Sequence, residues 1–382
     1  MLTVPRGPHR AAAPAPGRRR RGGTAGLRRA GAVLAAVGLG LAACGNPTEP
    51  GGLSGTLPGA GASSQEIAMQ AWLAGFYEAH PGVVASYDPV GSGTGREMFL
   101  NGAVLFAGSD VPMDEEELAR GRDRCFGGEV VELPLYISPI AVAYNLPGLG
   151  AEHLNLAPET LAAIFAGEIT RWNDPAIAAA NPGVALPDQA VVPVNRSDDS
   201  GTTESFTEYL AAAGGEAWPH EPSETWPISG TQSGTGTSGV VQTITAAEGT
   251  VGYIDAAQVT QDLSTVALGV GEDFVPFSAE AAAAVVDASP RAEDATDLRL
   301  TVELARDTDT PGTYPLVLVS YTLACERYGS EQDATNVRTL LEYMASPEGQ
   351  ERVARPDVAG AAPIGAGLRE KVEAAIGQIR PA

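Results

Sequence analysis

Short Val/Ile/Leu runs alternate with helical patterns through most of this 382-residue chain, and that alternation limits the possible folds more than any other feature. The apolar runs are VVELPLYISPIAVAYN from Val130, AVVPVNR from Ala190, TVGYIDAAQ from Thr250 and YPLVLVSYTLA from Tyr314. Between and after them lie PETLAAIFAG from Pro158, the segment following Ser200, an Ala-rich stretch near Glu280 to Val286, and Ala334 to Ala345, all with helical spacing. A helix inserted between two strands returns the chain to the same end of the sheet, so the strands pair in parallel. The pattern predicts an α/β fold of mostly parallel sheets flanked by helices, with no internal repeat.

The first 43 residues follow other rules. They contain eight arginines and no acid, and Ala30 to Ala43 is an apolar run of 14 residues. That length suits a signal-peptide core and falls short of the roughly 20 residues needed to span a bilayer. The run ends in Leu41-Ala42-Ala43-Cys44-Gly45, which resembles the bacterial lipoprotein signal, with Cys44 lipidated and becoming the N-terminus. An ordinary cleavage site or a retained anchor is the plainer alternative. Residues 44–56, rich in Gly, Pro, Ser and Thr, read as a flexible tether. About 325 residues remain, more than one hydrophobic core usually supports, so two lobes are expected.

Without its leader the chain carries 16 basic and 47 acidic residues, a formal net charge of −31. A surface so acidic excludes nucleic acid and disfavours anionic lipid, both of which need a basic face. In an oxidising compartment the remaining Cys125 and Cys325 favour a disulfide over two isolated thiols.

Four small-polar clusters sit at element boundaries. They are GAGASSQEIAMQAW from Gly59, VGSGTGREMF from Val90, VLFAGSDVP from Val104 and NRSDDSGTTESFTEYL from Asn195. Ser63 with Glu66, and Thr94 with Glu97, match capping boxes; Asp110 suits the N-cap of a helix starting near Pro112. Phe206, Tyr209 and Leu210 give the last cluster a buried helical face. The acidic block Asp114 to Glu117 reads as the first turn of a solvated helix. Singly, each cluster is explained by capping alone.

Together they have another reading. Helix N-termini present unpaired N–H groups and partial positive charge, so three Ser/Gly-rich ones brought together make a place for an anion. Arg196 can offer its planar fork to a tetrahedral oxyanion while Asp198 or Asp199 holds the rest of the guanidinium. Asp110 would then select the ligand. An ionised carboxylate only accepts hydrogen bonds, so it welcomes phosphate, which carries a P–O–H at neutral pH, and penalises sulfate, which carries none.

At these residues the chain resembles the phosphate-binding protein of the bacterial ABC phosphate importer. The resemblance runs from about Leu57 to the C-terminus. It is carried by GAGASS, GSGTG, FAGSD, LAAIFAGEITRWNDPAIAAANPGVALP and RSDDSGTTESFTEYL, and extended by TVGYIDAA and TYPLVLVSY. It implies a two-lobed periplasmic-binding-protein fold of type II with dehydrated phosphate in the interlobe cleft. Lobe 1 would be residues 57–133 plus 312–382 and lobe 2 residues 134–311. The implied ligand contacts are Ser63, Ser64, Ser92, Asp110, Arg196, Ser200, Gly201 and Thr202, with Asp198 bracing Arg196. Cys125 and Cys325 would share lobe 1, which suits their pairing. The implied protein is a monomer without cofactor or metal, lipid-anchored on the extracytoplasmic face of the cell membrane, serving a permease and its ATPase. Three departures stand out: Ser63-Ser64 where Thr and a bulky residue are usual, FAGSD for FGASD, and Asp199 where Gly is common.

Other functions fit less well. Beyond the leader the histidines are His80, His153 and His220, without metal-ligand spacing. No G-x-S-x-G elbow or phosphate-binding G-x-x-x-x-G-K-[ST] loop occurs, which weakens a phosphomonoesterase reading. Gly234 to Gly239 matches G-x-G-x-x-G, but SETWPISGTQS before it does not read as a strand, so a flexible loop is expected there. A binding protein for sulfate or molybdate, or a lipoprotein that recognises another protein, remains as the alternative.

Overall fold

The computed structural model describes residues 53–382; the leader, Cys44 and the start of the tether lie outside them. The first part of the chain forms β1 (Gly55–Gly61), α1 (Glu66–Ala79), β2 (Val83–Asp88), α2 (Ser92–Leu100), β3 (Phe106–Ser109) and α3 (Glu115–Arg124). β4 (Val130–Tyr144) leads into β5 (His153–Leu156), α4 (Pro158–Phe165), α5 (Pro175–Ala180), β6 (Val192–Arg196) and α6 (Gly201–Ala213). Next come β7 (Gln232–Gly234), α7 (Gly236–Ala246), β8 (Thr250–Asp255), β9 (Ser264–Val270), β10 (Asp273–Pro276) and α8 (Ala279–Ala288). The chain closes with β11 (Val317–Cys325), β12 (Arg327–Tyr328), α9 (Glu331–Ala345), α10 (Pro347–Ala354), α11 (Ala366–Ile376) and β13 (Arg380–Pro381).

The main sheet runs β2-β1-β3-β11-β4-β8-β6-β7, and its two ends are the two lobes. At one end β2, β1 and β3 are parallel; at the other β8, β6 and β7 are parallel. The middle is antiparallel, because β4 carries the chain out of the first lobe and β11 brings it back. The expected α/β layering is present, but the sheet as a whole is mixed rather than mostly parallel, for that reason.

β4 is buried along all 15 of its residues, which is why its sequence is a nearly unbroken apolar run. Its pairing changes partner between Pro139, opposite Val317, and Ile140, opposite Asp255. That change of partner falls some residues after Pro134. The segment around Arg299 also returns to the first lobe: Leu298 accepts from, and Leu300 donates to, the backbone of Glu132. Arg299 forms an ion pair with that buried carboxylate. This stretch falls inside the range assigned to lobe 2 by sequence, where nothing in its pattern marks a crossing.

Each end of the sheet has its own aromatic contacts within one continuous apolar core. In the first, Trp72 meets Tyr136 edge-on at 6.3 Å, and Cys125 is joined to Cys325 by a disulfide spanning 200 positions. In the second, Phe206 stacks on Tyr253 at 4.3 Å, and Phe165, Trp226 and Trp218 complete the cluster. Few aromatic residues are present, but they are concentrated where α6 must be held on its sheet.

Two element starts differ from the sequence reading. β1 begins at Gly55, inside the segment read as tether, and pairs with Val83. α3 is capped by Asp114, whose side chain accepts from the Glu117 N–H while the Glu117 carboxylate accepts from Asp114. Asp114 and Glu117 are thus the capping box of that helix, and Asp110 is not its cap.

Candidate anion-binding site

The ends of β1, β3 and β6 point at the seam between the lobes, and the helices that follow β1 and β6 begin there. The capping boxes expected at Ser63 and Thr94 do not form: α1 starts after Gln65 and α2 after Gly91, neither with a side-chain cap. Their hydroxyls are therefore not consumed by their own helices. Ser200 does cap α6, accepting from the Thr203 N–H at 3.2 Å, which leaves its own O–H to donate elsewhere.

Asp110 is the centre of the arrangement. Its carboxylate accepts from Ser64 Oγ at 2.7 Å through Oδ1 and from Thr202 Oγ1 at 2.8 Å through Oδ2. Its backbone N–H donates to Ser92 Oγ at 3.2 Å. One residue thus joins the first, second and fourth clusters. Burial raises the Asp110 carboxyl above its ordinary range, while hydrogen bonds from Ser64 and Thr202 and the charge of Arg196 pull it back. A buried carboxylate of this kind needs every donor it can find.

Gly201 shows how tightly the lobes meet. A Cβ there would come within 2.7 Å of Ser92 Oγ and 2.8 Å of Asp110 Cβ, so a side chain would push the N-terminus of α6 off the first lobe. Gly91 has φ of +96°, a conformation side chains resist, and a Cβ on it would lie 2.7 Å from Asp198 Oδ2.

Arg196, at the end of β6, is 3% exposed. Nε and Nη2 donate to the two oxygens of Asp198 at 2.9 and 2.5 Å, leaving Nη1 for a ligand. Burial acts to raise the Asp198 carboxyl, but the guanidinium outweighs it and holds the group below the ordinary range. Asp199 faces away: it is exposed and accepts from Thr225 Oγ1 at 2.9 Å. The one departure that could have opposed an anion therefore points to solvent.

Two features escaped the sequence reading. Gln232–Gly234 is a strand paired with β6, and Gly236 opens a helix, so GTGTSG is a strand–turn–helix element and not a flexible loop. Three residues of edge strand are too few to show alternation. This element matters to the site: Gly236 N–H donates to Asp198 Oδ1 at 3.0 Å, and Thr237 N–H donates to Ser63 Oγ at 3.0 Å. The second feature is Tyr253, whose hydroxyl accepts from the Arg196 N–H at 3.2 Å and lies 2.8 Å from Thr203 Oγ1. The TVGYIDAA motif contained it, but gave no sign that its ring holds α6 and its hydroxyl holds Arg196. Among the described residues no His/Cys/Asp/Glu cluster suits a metal ion.

Two α/β lobes meeting at a cleft of hydroxyls, helix N-termini and one braced arginine define a solute-binding protein, and the PBP superfamily domain matches residues 46–348. The chain is 33% identical over 368 residues to the phosphate-binding protein PstS 2 of Mycobacterium tuberculosis, covering 91% of this chain and 97% of that one. It is 32% identical over 332 residues to the phosphate-binding protein PstS 3 of Mycobacterium leprae, covering 84% and 89%. The phosphate-binding protein structure from Stenotrophomonas maltophilia shares the fold at a TM-score of 0.65 and 20% identity, over 84% of this chain and 94% of that one. This chain belongs to the PstS family of phosphate-binding proteins.

Proposed function

We propose that this chain binds inorganic phosphate between its lobes, outside the cytoplasm, and delivers it to the permease of an ABC importer. The observation that carries the reading is Asp110, a buried carboxylate among hydroxyl donors at the start of α6, beside a braced arginine. In this account phosphate donates its P–O–H to Asp110. Its oxygens accept from the hydroxyls of Ser63, Ser92 and Ser200, from the N–H groups of Ser64, Gly201 and Thr202, and from Arg196, while the Thr202 hydroxyl stays on Asp110. Asp198 acts through Arg196, fixing the plane of the guanidinium.

The charge balance supports a local mechanism. With so acidic a surface, phosphate cannot be gathered by a positive face, so affinity has to come from desolvated, preoriented donors inside the cleft. Selectivity against sulfate follows from the same carboxylate, which would meet a second acceptor with no proton between them.

The finer parts of the proposal concern place and state. Cys44 is the lipid attachment point, residues 1–43 are its signal, and the protein works as a monomer on the outer face of the membrane. No described helix is long and apolar enough to cross a membrane, which is compatible with this. Membrane fractionation of wild type and Cys44→Ser tests the anchor: the variant should leave the membrane fraction, and unchanged partitioning would reject lipidation at Cys44. Equilibrium dialysis of ligand-stripped protein against labelled phosphate tests the binding, and a chromogenic phosphomonoester should release no product.

A further inference from the structure

Arg96, in α2, is nearly buried and makes contacts on both sides of the cleft. On its own lobe Nε donates to Glu117 Oε1 at 2.8 Å and Nη1 to Ser109 Oγ at 3.0 Å. Toward the other lobe Nη1 and Nη2 donate to the two oxygens of Glu224 at 3.0 and 2.6 Å. Glu224 lies in the segment between α6 and β7. Its backbone carbonyl accepts the N–H of Ser200, the N-cap of α6, at 3.1 Å. Its neighbour Thr225 holds Asp199. One residue therefore grips lobe 1 with its carboxylate and the start of α6 with its main chain.

We infer that the Arg96–Glu224 fork is a positioning device for the anion site: it seats the N-terminus of α6 against Ser109 and Asp110 when the lobes meet, and phosphate leaves only after it breaks. The inference rests on the phosphate reading above, and concerns how long the ligand is held. A bidentate guanidinium–carboxylate pair has a narrow geometric optimum, so it favours one relative placement of the lobes. With side-chain exposures of 8% and 17% the pair is poorly screened by solvent, unlike the exposed pairs on the protein's rim. When the lobes part, Arg96 keeps Glu117 and Ser109, so lobe 1 is not left with a lone buried charge. Glu224 loses the one cation it pairs with among the described residues. Arg96 meets the site through Ser109, the residue before Asp110, and its other side-chain bonds go to Glu117 and Glu224.

The test is stopped-flow release of phosphate, with calorimetric affinity, for wild type, Glu224→Gln, Arg96→Lys and the double variant. Glu224→Gln keeps the backbone carbonyl and the side-chain shape. It should speed dissociation about tenfold, the loss of one charge-assisted fork, with little change in association. Arg96→Lys, which keeps the charge and loses the fork, should fall between, and the double variant should be no worse than Glu224→Gln alone. The ligand-free melting temperature of Glu224→Gln should stay at the wild-type value, and Arg96→Lys carries the test if Glu224→Gln does not fold. Wild-type release rates in the variants, or losses that simply add in the double variant, would overturn the inference. Wild-type protein that binds no phosphate would instead remove the functional reading beneath it.

Discussion

Thr202 donates its hydroxyl to Asp110 at 2.8 Å, joining residues 92 positions apart and bringing the start of α6 against the end of β3. Ser64 closes on the other oxygen of the same carboxylate. A ligand that brings a proton completes this set of donors; one that does not is left facing an acceptor.

Replacing that acceptor should therefore change selectivity more than fold. Asp110→Asn places an amide where the P–O–H would donate, and phosphate affinity should fall about tenfold or more while sulfate affinity rises. Parallel titrations of the variant check this, and an unchanged phosphate-to-sulfate ratio would count against the assigned role.

Asp198→Ala should act at a distance from the ligand. It frees two donors of Arg196 and strips the Gly236 N–H of its acceptor, so a buried guanidinium loses its brace. A stability loss on the order of 2–4 kcal/mol is expected at neutral pH, with weaker phosphate binding. Because the Asp198 carboxyl is held below its ordinary range, its contribution is present above that range and is lost as pH falls through the lowered value. Denaturant melts at pH 7 and below about pH 3, beneath the ordinary carboxylate range, should show the wild type converging on the variant.

Asp255 should show the opposite sign. It is fully buried, accepts from Tyr136 at 3.0 Å and from the Ala257 N–H at 2.9 Å through one oxygen, and its other oxygen has no partner. Burial pushes its carboxyl up to about 7. A raised acid contributes stability that is complete at low pH and is lost as pH rises through the folded value. Wild-type stability should decline between about pH 4 and pH 8, and Asp255→Asn should flatten that decline; equal slopes would contradict the burial argument.

The disulfide should matter to stability and not to the ligand. Cys125 caps the C-terminus of α3 and Cys325 ends β11, and neither is among the donors of the cleft. Cys125→Ser with Cys325→Ser should cost about 2–5 kcal/mol, with phosphate affinity at the wild-type level. Melting and calorimetry on one preparation check both halves.

Much of this was legible in the sequence because burial imposes a pattern. β4 reads as a strand since both its faces are covered, and Phe206, Tyr209 and Leu210 announce the buried side of α6. What failed were the short-range motifs. Ser63-x-x-Glu66 and Thr94-x-x-Glu97 have capping spacing, but Ser63 and Ser64 are drawn to Thr237 and Asp110, contacts 174 and 46 positions away. No local pattern encodes such a partner. β7 is too short to alternate, and the crossing at Arg299 depends on pairing with Glu132 across more than 160 positions. The four clusters could be found singly; that three of them meet on Asp110 is a property of the topology.

The central claim is that Asp110 and the donors around it make a phosphate site that excludes sulfate. Calorimetric titration of ligand-stripped wild-type protein with phosphate and with sulfate, at neutral pH and equal ionic strength, tests it most directly. The account predicts one phosphate per chain and no measurable heat from sulfate. Tight sulfate binding, or the absence of phosphate binding, would contradict it.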